Sequence, residues 1–162
     1  MGFSFFVQKF IKRYSLTFLL GGIFFAMLSA EKEAIPMWQY VNKNPRNKCV
    51  GDCTVRAISL ATDNGWMETY LDLCLFGLLM ADMPSANAVT TSYLKSKGFR
   101  RRTVPDDCPD CYTIEDFCKD HPKGTFVIGT GSHLTTVIDG CLWDSWDSRN
   151  ETPVYYFEKS ED

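Results

Sequence analysis

The stretch that decides the fold is His133-Leu134-Thr135-Thr136-Val137-Ile138-Asp139-Gly140-Cys141-Leu142-Trp143-Asp144-Ser145-Trp146. Asp139-Gly140 is a two-residue turn of the type that favours a tight hairpin, since both residues tolerate positive φ. The flanking runs are rich in β-branched and aromatic residues, as strands are. With that turn, Ile138 faces Cys141, Val137 faces Leu142, Thr136 faces Trp143 and Thr135 faces Asp144. Side chains alternate along a strand, so His133, Thr135, Asp144 and Trp146 are expected on one face. Asp144 is then the diagonal neighbour of His133, within reach across the ladder.

Outward from the hairpin, Thr125 to Gly129 and Val154 to Glu158 read as further strands, and Phe99 to Val104 as another, closed by Pro105. Upstream the period changes to that of helices. One begins at Cys53, with Val55, Ile58, Leu60 and Ala61 as its apolar side, and Asp63-Asn64-Gly65 stops it. A second runs from Trp66 to Met80 with a stripe of Met67, Tyr70, Leu71, Cys74, Leu75 and Leu78. Asp82-Met83-Pro84 breaks it. Ser85 is expected to cap a third helix, in which Val89, Tyr93 and Leu94 face inward and which Gly98 ends. Thr113 to His121 reads as a short helix, its Thr113 and Asp116 at capping-box spacing. Helices first and short strands afterwards indicate an α+β domain, with N-terminal helices packed on a C-terminal antiparallel sheet.

The 162 residues, 45% hydrophobic and 23% charged, suit one globular domain over residues 37–162 behind an N-terminal appendage, residues 1–36. The appendage holds four basic and two acidic groups, so the domain is more acidic than the whole chain's net charge of −3. An acidic body gives no electrostatic footprint for nucleic acid. Arg100-Arg101-Arg102 reads as a solvated strand edge. Seven cysteines, an odd number, show no even framework, and the domain reads as mainly reduced.

Lys9, Lys12 and Arg13 precede an uncharged run from Tyr14 to Ala30 that ends Leu28-Ser29-Ala30. That is the three-part plan of a signal peptide, and residues 14–30 would give an export signal or membrane anchor. A second reading competes with it. Lys32-Glu33-Ala34 can be encoded by a purine-rich tract placed like a bacterial ribosome-binding site before Met37. Translation would then start at Met37, and the protein would be cytoplasmic.

Cys53 follows Gly51-Asp52 in the first helical turn, where unpaired N–H groups and the positive end of the macrodipole favour a thiolate. The base that could meet it is one of two histidines. His121 ends a helix, where an imidazole bonds the last carbonyls. His133 opens a strand after the flexible Gly129-Thr130-Gly131-Ser132 and is the expected base. Asp144 is the expected orienter of its ring. These three would carry nucleophilic acyl transfer, with N–H groups at the helix start donating to the oxyanion. Asn47, six residues before the cysteine, is a weaker oxyanion donor, with a turn role as the alternative.

Val50-Gly51-Asp52-Cys53-Thr54-Val55-Arg56-Ala57, Gly131-Ser132-His133 and Trp143-Asp144 together resemble the papain-like cysteine peptidase superfamily, across Met37 to Glu158. The order Cys, His, Asp and the small size look most like its bacterial and phage members, including the bacteriocin-leader peptidase branch. The resemblance implies a papain-like fold and a peptide or protein substrate cleaved through Cys53, His133 and Asp144. It implies no cofactor. Many of those families place a Gln before the cysteine, where this chain has Asn47. Asp-Cys-Thr and Ser-His-Leu are also similar to NlpC-type murein peptidases, which would imply a thiol amidase on cell-wall peptides. Their third polar group is usually His, and none follows His133.

Cys108-x-x-Cys111 followed by Cys118-x-x-His121 has the ligand types and knuckle-like spacing of a structural zinc site. Cys118 and His121, three apart on a helix, share one side of it. Core cysteines and a capping histidine are the competing account. A non-catalytic interaction domain, zinc-stabilised or not, is the function of a different class that the chain allows.

Overall fold

The computed structural model describes residues 36–104 and 112–159. In chain order these form β1 (Trp38–Tyr40), α1 (Cys53–Ala61), α2 (Trp66–Met80), α3 (Asn87–Ser96), β2 (Phe99–Thr103), α4 (Ile114–Asp120), β3 (Thr125–Gly129), β4 (Leu134–Ile138), β5 (Cys141–Asp144) and β6 (Tyr155–Lys159). The fold is α+β: four helices and a six-stranded sheet of order β1-β5-β4-β3-β6-β2 among the described residues.

The hairpin has the register its turn dictates, with Ile138 opposite Cys141, Val137 opposite Leu142 and Thr136 opposite Trp143. Asp139 and Gly140 both take positive φ, 49° and 74°, the signature of a type I′ turn. β3 pairs antiparallel with β4 and β6, and β2 with β6. β1 corrects the expectation of a purely antiparallel sheet, because it lies parallel to β5, with Trp38 opposite Leu142 and Tyr40 opposite Asp144. Three residues are too few for alternation to announce a strand.

Each side of the sheet has its own core. Ala57, Ile58, Leu73, Val89, Tyr93 and Leu94 from the first three helices pack with Val127, Leu134 and Phe157. Ile114, Phe117 and Cys118 of α4 pack with Phe126, Ile128, Val137 and Leu142. β3 is therefore buried on both faces, which suits its run of Phe126-Val127-Ile128. α4 starts at the expected capping box: Thr113 Oγ1 accepts from the Asp116 N–H, and the Asp116 carboxylate accepts from the Thr113 N–H.

Three local expectations are corrected. α3 is preceded by Ala86, not capped by the Ser85 side chain. In α1, Arg56 and Ser59 are buried alongside Ala57, Ile58 and Ala61, whereas Leu60 is only half-buried. In α2 the expected stripe points outward. Thr69, Leu73 and Gly77 are buried, while Met67, Tyr70, Leu71, Leu75 and Leu78 are exposed. Apolar residues surround most of this helix, so periodicity could not single out the face that packs. Gly77 makes the close approach: a Cβ there would stand 2.8 Å from the Asp82 carbonyl oxygen and 3.2 Å from the Pro84 nitrogen.

Candidate active site

Cys53 is the first residue of α1 and is half-buried. The turn before it is tight: the Asp52 N–H donates to the Val50 carbonyl, and the Arg56 N–H to the Asp52 carbonyl. Cys53, Thr54 and Val55 precede any possible i−4 partner within the helix, so their N–H groups form its positive end.

His133 stands one residue before β4. Its N–H donates to Thr130 Oγ1, and the Thr130 N–H donates back to the His133 carbonyl, which fixes the loop that presents the ring. The ring's Nε2 donates to Asp144 Oδ2 at 2.5 Å. That leaves Nδ1 as the ring nitrogen for Cys53, which lies close enough for His133 to be the largest influence on its thiol. The ring lies beside Trp146, with centroids 5.4 Å apart. The three residues expected from the sequence thus come together: His133 is hydrogen-bonded to Asp144 and lies beside Cys53. Strict alternation would put Asp144 with Leu142 on the α4 side. At the last residue of β5, however, its carboxylate reaches α1 instead.

The electrostatics suit a charged pair. The hydrogen bond from His133 lowers the Cys53 thiol to about 7, against burial, which alone would raise it. The Leu134 N–H helps the thiolate. Burial opposes a charge on the His133 ring, but its bonds to Asp144 and Cys53 prevail and raise it to about 9. Asp144 is held below the ordinary carboxylate range. Its burial favours the acid, and the bonds from His133, Ser148 and the Ser145 N–H outweigh that. With the thiol below the imidazole, the thiolate–imidazolium form dominates between these two values.

How Asp144 is held went unread in the sequence. Arg56, 5% exposed, donates through one guanidinium nitrogen to Asp144 Oδ1 at 2.9 Å and through the other to Asp52 Oδ1 at 2.5 Å. Ser148 Oγ donates to Asp144 Oδ2 at 2.8 Å, and the Ser145 N–H to Oδ1 at 2.7 Å. Trp66 Nε1 donates to the other Asp52 oxygen at 2.8 Å. Asp52 therefore does not cap α1 with its side chain. It anchors Arg56 and the start of α2. A cation on the packed side of an apolar helix, four residues after an aspartate, was the one available signal for this network.

The weaker candidates have other occupations. Asn47 sits in a turn at φ 52°, its side-chain oxygen accepting from Asn42. No described hydrogen bond joins it to Cys53 or His133. Cys118 is buried in the α4 core, which pushes its thiol up to about 12. His121 stacks on Phe117, with centroids 3.9 Å apart, and its Nδ1 bonds the Phe117 carbonyl. The other two zinc candidates, Cys108 and Cys111, and the apolar run 14–30 lie outside the described residues. Cys49, Cys53, Cys74, Cys118 and Cys141 are free thiols. No helix among the described residues is long and apolar enough to cross a membrane.

Comparison with protein-family models, curated proteins and solved structures found no match for this chain.

Proposed function

We propose that this chain is a cysteine peptidase of papain-like fold that cleaves a peptide or isopeptide bond. The observation that carries the reading is the meeting of Cys53, His133 and Asp144, with His133 hydrogen-bonded to Asp144, the thiol lowered to about 7 and the imidazole raised to about 9. The thiolate attacks the scissile carbonyl carbon, forming a C–S bond and an oxyanion that the N–H groups at the α1 start receive. The tetrahedral intermediate collapses and the C–N bond breaks. The His133 imidazolium gives its proton to the leaving amine. Water then attacks the thioester, with the neutral imidazole taking its proton, and the acid product leaves. Asp144 fixes the ring's tautomer and stabilises the imidazolium whenever it forms.

Arg56 is a positioning residue in this scheme. It spans from the turn before the nucleophile to the carboxylate on β5, so it fixes the helix carrying Cys53 relative to the strand carrying Asp144. A carboxylate as third member favours the peptidase reading over the NlpC-type amidase, whose third group is usually histidine.

A peptide-library cleavage screen with the wild type and Cys53→Ala tests the proposal. Cleavage by the wild type that is abolished in Cys53→Ala is expected. No cleavage by either, with Cys53 alkylated no faster than exposed Cys49, would favour a non-catalytic interaction domain instead.

A further inference from the structure

We propose that the free edge of β2 binds an acidic, extended peptide segment as an added strand, and that this segment belongs to the substrate. The second half rests on the peptidase reading above. β2 ends the sheet, so among the described residues only one of its backbone edges has a strand partner, β6. The other edge keeps N–H and C=O groups that an incoming strand can pair. An open groove of about 770 Å³ lies there, lined by Lys95 in the last turn of α3 and by Phe99 to Thr103, with no residue of β6. Backbone groups along such an edge select an extended chain.

Side chains select its charge. Lys95, Arg100, Arg101 and Arg102 line the groove and are exposed, and no carboxylate lines it. A second hollow, of about 320 Å³, meets it at Arg100 and adds Lys123 and Lys159. The carboxylate of that hollow, Glu158, already accepts from Arg102 Nε at 2.8 Å. Six cations thus gather at one corner of a chain whose net charge is −3. Surfaces that only need to stay solvated mix their signs, whereas a patch of one sign draws a partner of the other. Nucleic acid would answer the charge, but it has no strand backbone to pair with the edge.

Register ties the edge to the candidate site. Thr103 stands opposite Tyr155, Tyr155 opposite Gly129, and Gly129 opposite Leu134, the residue after His133. That row crosses three strand spacings, roughly 14 Å, so a peptide lying at Cys53 reaches β2 with about four or five extended residues. The Arg101 guanidinium lies over the Tyr155 ring, 4.2 Å from its centroid, and Tyr155 shares a core with Ala57 and Ile58 of α1.

Fluorescence anisotropy with full-length Cys53→Ala protein tests the binding apart from any chemistry. The probe is a short fluorescein-labelled peptide alternating Glu and Val. It is expected to bind, and its Lys–Val counterpart is not. Arg100→Glu combined with Arg101→Glu should weaken binding about tenfold or more. N-methylation of successive peptide bonds, which blocks both edges of the added strand, should do the same on the unaltered surface. No binding, or binding that survives either change, would overturn the proposal. So would a single-stranded oligonucleotide that displaces the peptide at a lower concentration than the peptide itself binds. In the wild type, joining the Glu–Val segment about five residues from the cleaved bond should raise kcat/KM about tenfold. Cys53-dependent cleavage without that gain would overturn the substrate role and leave the peptidase reading standing. Binding by Cys53→Ala with no cleavage by the wild type would support the docking edge and overturn the peptidase reading.

Discussion

His133 is the strongest influence lowering the Cys53 thiol, and the consequences of removing either partner can be worked out from that contact. In His133→Ala the thiol loses the contact that lowers it most, while burial continues to raise it. Its titration should return toward the ordinary range, leaving at neutral pH roughly a tenth or less of the thiolate. Alkylation of Cys53 by iodoacetamide at pH 7 should fall about tenfold or more, and an unchanged rate would remove His133 from the site. Arg56 makes a different prediction. Arg56→Met leaves two buried carboxylates without their cation and should destabilise the fold by about 3–5 kcal/mol. Arg56→Lys should be intermediate, since an ammonium cannot reproduce the fork that spans Asp52 and Asp144. Urea unfolding measures both; a loss under about 0.5 kcal/mol for Arg56→Met would contradict the account. The positions of Cys53 and His133 were legible because a helix start and a strand start each leave a local signature. Arg56 was not, because its partner on β5 is 88 residues away.

The elements divide along the same line. The type I′ turn, the capping box of α4 and the limits of α2 depend on neighbours in sequence, and all three are where the residues put them. The packed face of α2 and the parallel pairing of β1 depend on what lies across the fold, and both escaped the sequence. In a helix that is apolar nearly all round, tertiary contact chooses the face. A pair of substitutions tests this choice. Leu73→Ala, at 1% exposure, should cost about 2–4 kcal/mol through lost burial and the cavity left behind. Leu71→Ala, at 62% exposure, should stay within about 0.5 kcal/mol. Urea unfolding of the two separates them; equal losses would mean that the helix is turned differently.

In the whole molecule, α1 meets the sheet where β4 begins and β5 ends, and this one junction brings together residues from three separate parts of the chain. Thr136 Oγ1 donates to the Ala57 carbonyl at 2.8 Å, and the Arg56–Asp144 pair adds a second tie between α1 and the hairpin. The hairpin register placed His133 and Asp144 side by side from sequence alone. That Cys53 lies against them is a tertiary fact no spacing could supply. The joint consequence is a window of pH. Below about 7 the thiolate is protonated, and above about 9 the imidazole has lost the proton it must give the leaving group. Turnover should therefore be bell-shaped between those values. Asp144→Asn should lower the upper limit, because the carboxylate's bond and charge both raise the ring.

The most direct test of the central claim, that Cys53 is an activated thiolate paired with His133, is the pH profile of its alkylation by iodoacetamide, followed at the Cys53 peptide by mass spectrometry. The account predicts a rate that rises with a midpoint near 7 and is already on its plateau by about pH 8, ahead of exposed Cys49. A midpoint at the free-thiol value of about 8.5 or above, identical in the wild type and His133→Ala, would contradict it.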